Sequence, residues 1–275
     1  MIFVLNLRYN SCHFRYLMMK KAVVMGASSG IGREVARLLL QQGWKVGLAA
    51  RHIEPLKELA SEFLQQVDYE QVDITEDGAE KKLLQLVNRI GGMTLYFHAS
   101  GIGKQNPLLA ADIELSTAKT NVEGFSRMVG AAFRYFQESI SPEQEAHIAV
   151  ISSIAGTKGL GPAPAYSATK AFQGVYIEAL EQLAENRGLP IRFTDIRPGF
   201  VDTPLLAGQN YPMLMDEKRV ARSIVKAVGR HRHVVVVDWR YRVLVFFWRL
   251  IPRWLWRRLP ITRKIDGKIP ENGEK

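Results

Sequence analysis

Short apolar runs alternate with longer stretches in which apolar side chains recur at helical spacing, and this alternation extends from Ala22 to Val237. The runs Ala22–Met25, Trp44–Ala50, Asp68–Val72, Met93–His98, His147–Ile151, Pro190–Ile196 and Val234–Val237 read as strands. Most are apolar along their whole length, as strands buried on both faces of a parallel sheet must be. Helical spacing fills the intervals: from the glycines at 26–32 to about Gln42, where Gly43 closes the helix, then about Ile53–Gln66, Ala79–Ile90, Asp112–Gln137, and Tyr166 to about Arg187. The pattern predicts an α/β fold: a right-handed, doubly wound parallel sheet of about seven strands with helices on both faces.

Composition narrows the class. With 275 residues, 47% hydrophobic and 23% charged, the chain has the make-up of an ordinary globular protein and no compositional break that asks for a second domain. The expected division is an N-terminal extension over 1–18, one α/β domain over 19–238, and a basic tail over 239–275. Residues 1–18 match no element, while M-M-K-K-A-V-V-M opens the first strand directly, so the natural product is expected to start at Met18 or Met19. The opening I-F-V-L-N-L is too short for a secretory signal and has no basic residue before it. Cys12 is the only cysteine, which leaves no intrachain disulfide or cysteine zinc site and suits a reducing, cytoplasmic setting. No metal is expected. The formal charge of +10 sits at the ends, because residues 22–238 carry 23 basic and 24 acidic side chains. Without a basic stripe across the domain, nucleic acid is not an expected partner.

The first strand runs into G-A-S-S-G-I-G, Gly26 to Gly32, and then into a helix. Strand, glycine turn and helix start in that order bring backbone amides up to a pyrophosphate, so a Rossmann-like dinucleotide site is expected. Where a site selecting NAD would place a carboxylate against the ribose hydroxyls, this chain has Ala50 and then Arg51. A guanidinium suits a 2′-phosphate, and the expected cofactor is therefore NADP(H). Ligands of an open sheet bind beyond the carboxyl ends of its strands. The expected contacts there are Gly26, Ser28, Ser29, Gly30, Ile31, Gly32, Arg51, Asp73, Ile74, Ser100, Gly101, Tyr166, Lys170, Pro198, Gly199, Val201 and Thr203.

Tyr166 and Lys170 stand four residues apart at the opening of a helix, hence on one face. A free phenol has a pKa of about 10, and an ammonium one turn away favours the phenolate. Tyr166 is thereby expected to give and take protons near neutral pH. Ser153, at a strand end upstream, offers a hydroxyl to hold a carbonyl oxygen against that phenol, with glycines and prolines keeping the connection a loop. Asn121, in N-V-E-G, is mildly unfavourable in mid-helix and is expected to hold a water or a backbone group. Leu205, Leu206, Tyr211 and Met213 fall in an apolar segment, Pro204–Met215, which is either a lid over a hydrophobic substrate or a packed loop without substrate contact.

With Gly26, Gly30 and Gly32, the set Asn121, Ser153, Tyr166 and Lys170, and the Pro198–Gly199 turn with Thr203, residues 20 to about 237 resemble the short-chain dehydrogenase/reductase family. The resemblance implies an NADP(H)-dependent carbonyl reductase or alcohol dehydrogenase. In that role Tyr166 protonates the carbonyl, Lys170 also binds the nicotinamide ribose, Ser153 positions substrate and Asn121 holds a relay water. Three departures bear on the likeness: Met25 in place of threonine, His98-Ala99-Ser100-Gly101 in place of Asn-Asn-Ala-Gly, and no C-terminal Asp-Gly-Gly. The first two touch hydrogen bonds that brace the sheet near the cofactor. The third changes the tail and the oligomer contacts built there.

Beyond Val237 the character shifts. Arg240 to Leu259 holds three of the five tryptophans, Trp239 is a fourth, and eight basic residues lie between Trp239 and Ile265 with no acid among them. On a helical wheel Arg242, Arg249, Arg253 and Arg257 share a stripe, and Pro252 is expected to kink or restart the helix. Two readings stay open: a helix over 240–259 lying in a membrane interface, which places the protein at the inner face of the membrane, or a helix docked on a partner subunit or on its own domain. No run reaches the roughly 18 apolar residues of a spanning helix.

The expected activity is NADPH-dependent reduction of a hydrophobic, lipid-like ketone or other carbonyl, or oxidation of the matching secondary alcohol, by a homo-oligomer, dimer or tetramer. Two other readings remain: an NADP(H)-binding sensor or scaffold that turns nothing over, against which the intact Tyr166–Lys170 pair argues, and a dehydrogenase of small polar alcohols, against which the apolar segment argues.

Overall fold

Seven strands pair in parallel in the order β3-β2-β1-β4-β5-β6-β7 in the computed structural model, which describes residues 20–141, 143–206 and 211–259. The expectations for residues 1–18 and for the chain beyond 259 lie outside the described residues. β1 (Lys21–Met25), β2 (Lys45–Ala50), β3 (Val67–Gln71), β4 (Leu95–His98), β5 (Ala146–Ile151), β6 (Ile191–Arg197) and β7 (Val234–Val236) fall within about two residues of the apolar runs.

Val24 lies opposite Leu48 on one side and Phe97 on the other, all three without exposed surface. Strands of this kind need apolar cover on both faces. One face is covered by α1 (Gly30–Gln41) and α2 (Glu54–Ser61), through Leu39, Leu40, Leu56 and Leu59, and by α7 (Glu217–Val228), through Val220 and Ile224. The other is covered by α3 (Ala79–Arg89), α5 (Phe125–Ser139) and α6 (Pro164–Asn186), through Leu83, Leu86, Phe125, Phe136 and Ile177. The winding reverses between β1 and β4, the position beyond which ligands of an open sheet bind.

The stretch read as one helix over Asp112–Gln137 is instead α4 (Ala111–Ala118), a π-helical turn (Lys119–Gly124) and α5. Such a turn adds a residue while leaving the apolar rhythm on either side intact, so periodicity passes over it. Likewise α2 ends at Ser61, short of Gln66.

After β7, α8 (Trp239–Leu250) and the single turn α9 (Arg253–Trp256) lie against the domain. The break falls at Ile251 and Pro252, since proline has no N–H to continue the ladder. Arg253 and Arg257 therefore do not extend the stripe of Arg242 and Arg249 along one helix. Tyr241 is fully buried, and its hydroxyl accepts from Phe200 N and donates to Met213 O, both at 3.1 Å. Its ring presses on Gly199, where a Cβ would come within 2.2 Å. Of the readings left open for the tail, docking on its own domain is what one face of α8 does.

Candidate active site

Gly26 ends β1 with φ of 94°, in the left-handed region, and a Cβ there would sit 2.6 Å from Ser100 N. Only a residue without a side chain lets this turn press against the end of β4. Gly32 is just as close, its missing Cβ 2.1 Å from Gly26 O, and Gly30 meets the Thr203 side chain. Ser29 caps α1 with extended backbone and no side-chain bond, so with the half-buried Ser28 and Ile31 it leaves first-turn amides for an anion. Arg51 is exposed at the end of β2. Burial works to raise the nearby Asp73 carboxyl, but two hydrogen bonds from Thr75 and the charges of Arg51 and Lys119 outweigh it and hold the group below its ordinary value. Ile74 packs under Gly124 of the π turn. The Pro198 carbonyl accepts from Ile154 N, and Val201 is buried in the core and bridged to Met215, so backbone bonds brace this loop.

β5 delivers Ser153 just past its carboxyl end, and Pro164 in the first turn of α6 sets the helix that carries Tyr166 and Lys170. Ser153 Oγ accepts from Ala155 N at 3.1 Å and stands as a hydrogen-bond partner of the Tyr166 hydroxyl. Burial pushes the Tyr166 phenol above its ordinary value, and the Ser153 bond pulls against that rise. Lys170 is 5% exposed, with Nζ 5.8 Å from the centre of the Tyr166 ring. Its ammonium donates to Ile151 O and to Gln173 Oε1, each at 2.9 Å. Burial lowers Lys170 to about 8, against the pull of the Asp195 carboxylate. Asp195 is in turn bound to Arg197 and the Ser152 hydroxyl. The expectation that Lys170 draws the phenol downward is therefore corrected: the charge is engaged by two carbonyl oxygens, burial dominates, and Tyr166 stays protonated at neutral pH.

Asn121 is fully buried in the π turn, and its partners are a backbone group and the Thr169 hydroxyl, to which Nδ2 donates at 3.1 Å. Its Oδ1 accepts from Ile102 N at 2.9 Å while Nδ2 donates to Ile102 O at 2.7 Å. Its carbonyl accepts from Gln173 Nε2 at 2.9 Å. Gly101 closes the gap to the cofactor turn: a Cβ there would lie 3.2 Å from Asn121 Oδ1 and 3.4 Å from Lys170 Nζ.

Two residues escaped the sequence reading. Gln173 shares the inward face of α6 with Lys170 and Ile177, and a lone amide on that face was the available signal. Gly103 backs the Tyr166 ring so closely that a Cβ would come within 2.3 Å of Cδ2. His98, one of the departures, is fully buried with Nδ1 3.0 Å from the Tyr96 hydroxyl, a bond that braces β4 from within. Burial first, then the Lys170 charge, hold His98 neutral, with its pKa lowered to about 3.

The apolar segment divides. Tyr211 stacks on Phe200 at 4.2 Å and accepts from Gln105 Nε2, joining the loop after β6 to the loop after β4. Leu206 is half-buried, while Leu205 and Met213 face outward at its rim. Residues 207–210 of this segment lie outside the described residues.

A family model described as short chain dehydrogenase matches residues 20–212. The chain is similar to an uncharacterized oxidoreductase of Myxococcus xanthus, 30% identical over 241 residues that cover 85% of this chain and 93% of the relative. It is similar also to one of Mycobacterium tuberculosis, 29% identical over 256 residues covering 89% and 96%. Among solved structures, ElxO with NADP bound superposes with a TM-score of 0.72 at 22% identity, covering 82% of this chain and 100% of that one. The alcohol dehydrogenase from the archaeon Thermococcus sibiricus, complexed with 5-hydroxy-NADP, gives 0.69 at 22%, covering 80% and 96%. At those identities the structural likeness speaks for the fold.

Proposed function

The chain belongs to the short chain dehydrogenase family, and from that premise we propose that it is an NADPH-dependent oxidoreductase reducing the carbonyl of a hydrophobic, lipid-like substrate. The reading is supported by one observation: Asn121 Oδ1 and Lys170 Nζ both border Gly101, and Lys170 Nζ lies 5.8 Å from the centre of the Tyr166 ring, beyond the carboxyl ends of β4 and β5. The glycine turn suits a dinucleotide, because Ser29 leaves the first-turn amides of α1 without a side-chain cap. Gly26 to Gly32 would hold the pyrophosphate at the amides of α1, Arg51 the 2′-phosphate, and Asp73 with Ile74 the adenine. Ser100, Gly101, Lys170 and the loop Pro198–Thr203 would border the nicotinamide end.

NADPH, when bound, supplies the hydride. Ser153 holds the carbonyl oxygen in place, and Tyr166, kept protonated by burial, gives that oxygen its proton. The phenolate left behind is stabilised by the Ser153 hydroxyl, while Lys170 would bind the nicotinamide ribose. The bound cofactors named for the two structural neighbours support the choice of NADP(H). A single cysteine supports a cytoplasmic setting, and assembly as a dimer or tetramer belongs to the same reading.

Consumption of NADPH with ketones of rising chain length, with Tyr166→Phe as the blank, tests the function. Rates are expected to climb with chain length. Rates no higher than the blank, or a preference for small polar alcohols, would overturn it.

A further inference from the structure

α8 presents two opposite faces. Tyr241 and Val245 are buried on the domain side, with Trp248 stacked on Trp256 at 5.1 Å. On the far side Trp239, Val243, Phe246, Phe247 and Leu250 follow at i, i+4, i+7, i+8 and i+11, which is one arc of a helix, and each is 47% to 66% exposed. Arg242 and Arg249 border this arc on one flank and Arg240 on the other. α9 and the residues after it add Trp254 and Leu255, exposed, with Arg253, Arg257 and Arg258. No aspartate or glutamate occurs from 239 to 259.

We propose that α8 and α9 seat the protein on an anionic lipid bilayer, with the arc sunk in the interface and the arginines among the headgroups. Charge complementarity selects this occupant. A two-fold contact with a second copy would lay these arginines against the same arginines, with no carboxylate between 239 and 259 to answer them. Arg240 is already paired with Asp238 at 3.1 Å; anionic headgroups answer the others, and tryptophan favours the interfacial depth. A groove of about 590 Å³ lined by Lys158, Gly159, Arg253, Trp254, Trp256 and Arg257 offers a cationic, aromatic wall of the kind that takes a headgroup phosphate.

The tail is not loosely tethered. Trp256 Nε1 donates to Gly159 O at 2.8 Å and Lys158 Nζ to Ile251 O at 2.7 Å. A seated tail thus brings the loop between Ser153 and Tyr166 to the bilayer surface. The mode is peripheral, since no described helix is long and apolar enough to cross a membrane. The inference stands apart from the assignment of the active site.

Sedimentation of the full chain with vesicles of phosphatidylcholine, alone or with phosphatidylglycerol, tests it. The wild type is expected to bind the anionic vesicles at least about tenfold more strongly, and raised salt to release it. Phe246→Ser with Phe247→Ser, and Arg242→Glu with Arg249→Glu, are each expected to weaken that binding at least about tenfold with the thermal midpoint unchanged. Equal binding to neutral vesicles, salt-insensitive binding, or variants that bind like the wild type would overturn the proposal. So would absent vesicle binding combined with loss of an oligomer in either variant, which would assign the arc to a second copy.

Discussion

Lys170 Nζ donates to Gln173 Oε1 at 2.9 Å, and the same amide turns its Nε2 to the carbonyl of Asn121, so one side chain spans Lys170 and the π turn. An acceptor on a buried ammonium favours its charged form, by about 1.5–3 kcal/mol for one hydrogen bond. Gln173→Leu is therefore expected to move the alkaline limb of the kcat profile about one to two pH units below the value of about 8 held by Lys170, and Gln173→Glu to move it upward. Rate profiles against pH check both. Unmoved limbs in the two variants would reduce Gln173 to packing.

Gly103 is the backstop of the Tyr166 ring. A Cβ at 2.3 Å from Cδ2 has nowhere to go unless the ring turns away from Ser153. Gly103→Ala is expected to cut kcat by roughly a hundredfold, the scale of a misplaced reacting group, and to leave NADPH affinity unchanged. Steady-state kinetics beside a fluorescence titration of NADPH separate the two quantities.

Arg51 is the basis of the cofactor choice. Arg51→Asp removes charge-assisted bonds to a 2′-phosphate and is expected to raise KM for NADPH about ten- to a hundredfold while lowering KM for NADH. Equal KM values for the two cofactors in the wild type would contradict the selection.

Acid is expected to unfold the protein through two buried imidazoles. Burial, with the Lys170 charge for His98 and the His231 charge for His147, lowers their pKa from 6.5 to about 3 and about 4. A base depressed in the folded state is protonated first in the unfolded chain, so its contribution is complete above about pH 6.5 and is lost as pH falls toward those values. Between about pH 6 and about pH 4 the two together remove roughly 2–3 kcal/mol of stability per pH unit. Urea unfolding across that range measures the slope, and His147→Gln is expected to take away about half of it.

The doubly wound parallel sheet and the neighbourhood of Tyr166 and Lys170 were legible because they rest on short-range signals: apolar strands, glycine turns and residues one helical turn apart. The π turn at Lys119–Gly124 was not, since the rhythm on either side of it continues while the bonds that tie Asn121 to Ile102, Thr169 and Gln173 are tertiary. The direction of the Tyr166 shift was missed for a related reason. Spacing places Lys170 beside the phenol, but burial and the competing acceptors Ile151 and Gln173 belong to distant or unread parts of the chain. The tail showed its amphipathic character in sequence, whereas Tyr241 docking between Phe200 and Met213 depends on a contact some forty residues away, which no local pattern encodes.

The central claim is that Tyr166 delivers a proton while Lys170 is charged. It is tested most directly by kcat/KM for reduction of a long-chain ketone, followed from about pH 6 to about pH 10 in the wild type and Tyr166→Phe. The wild-type rate is expected to fall as pH rises through about 8, where Lys170 loses its proton, and the variant to lie at least about a hundredfold lower while still binding NADPH. A variant within about tenfold of the wild type, or a wild-type rate that is flat through that range, would contradict it.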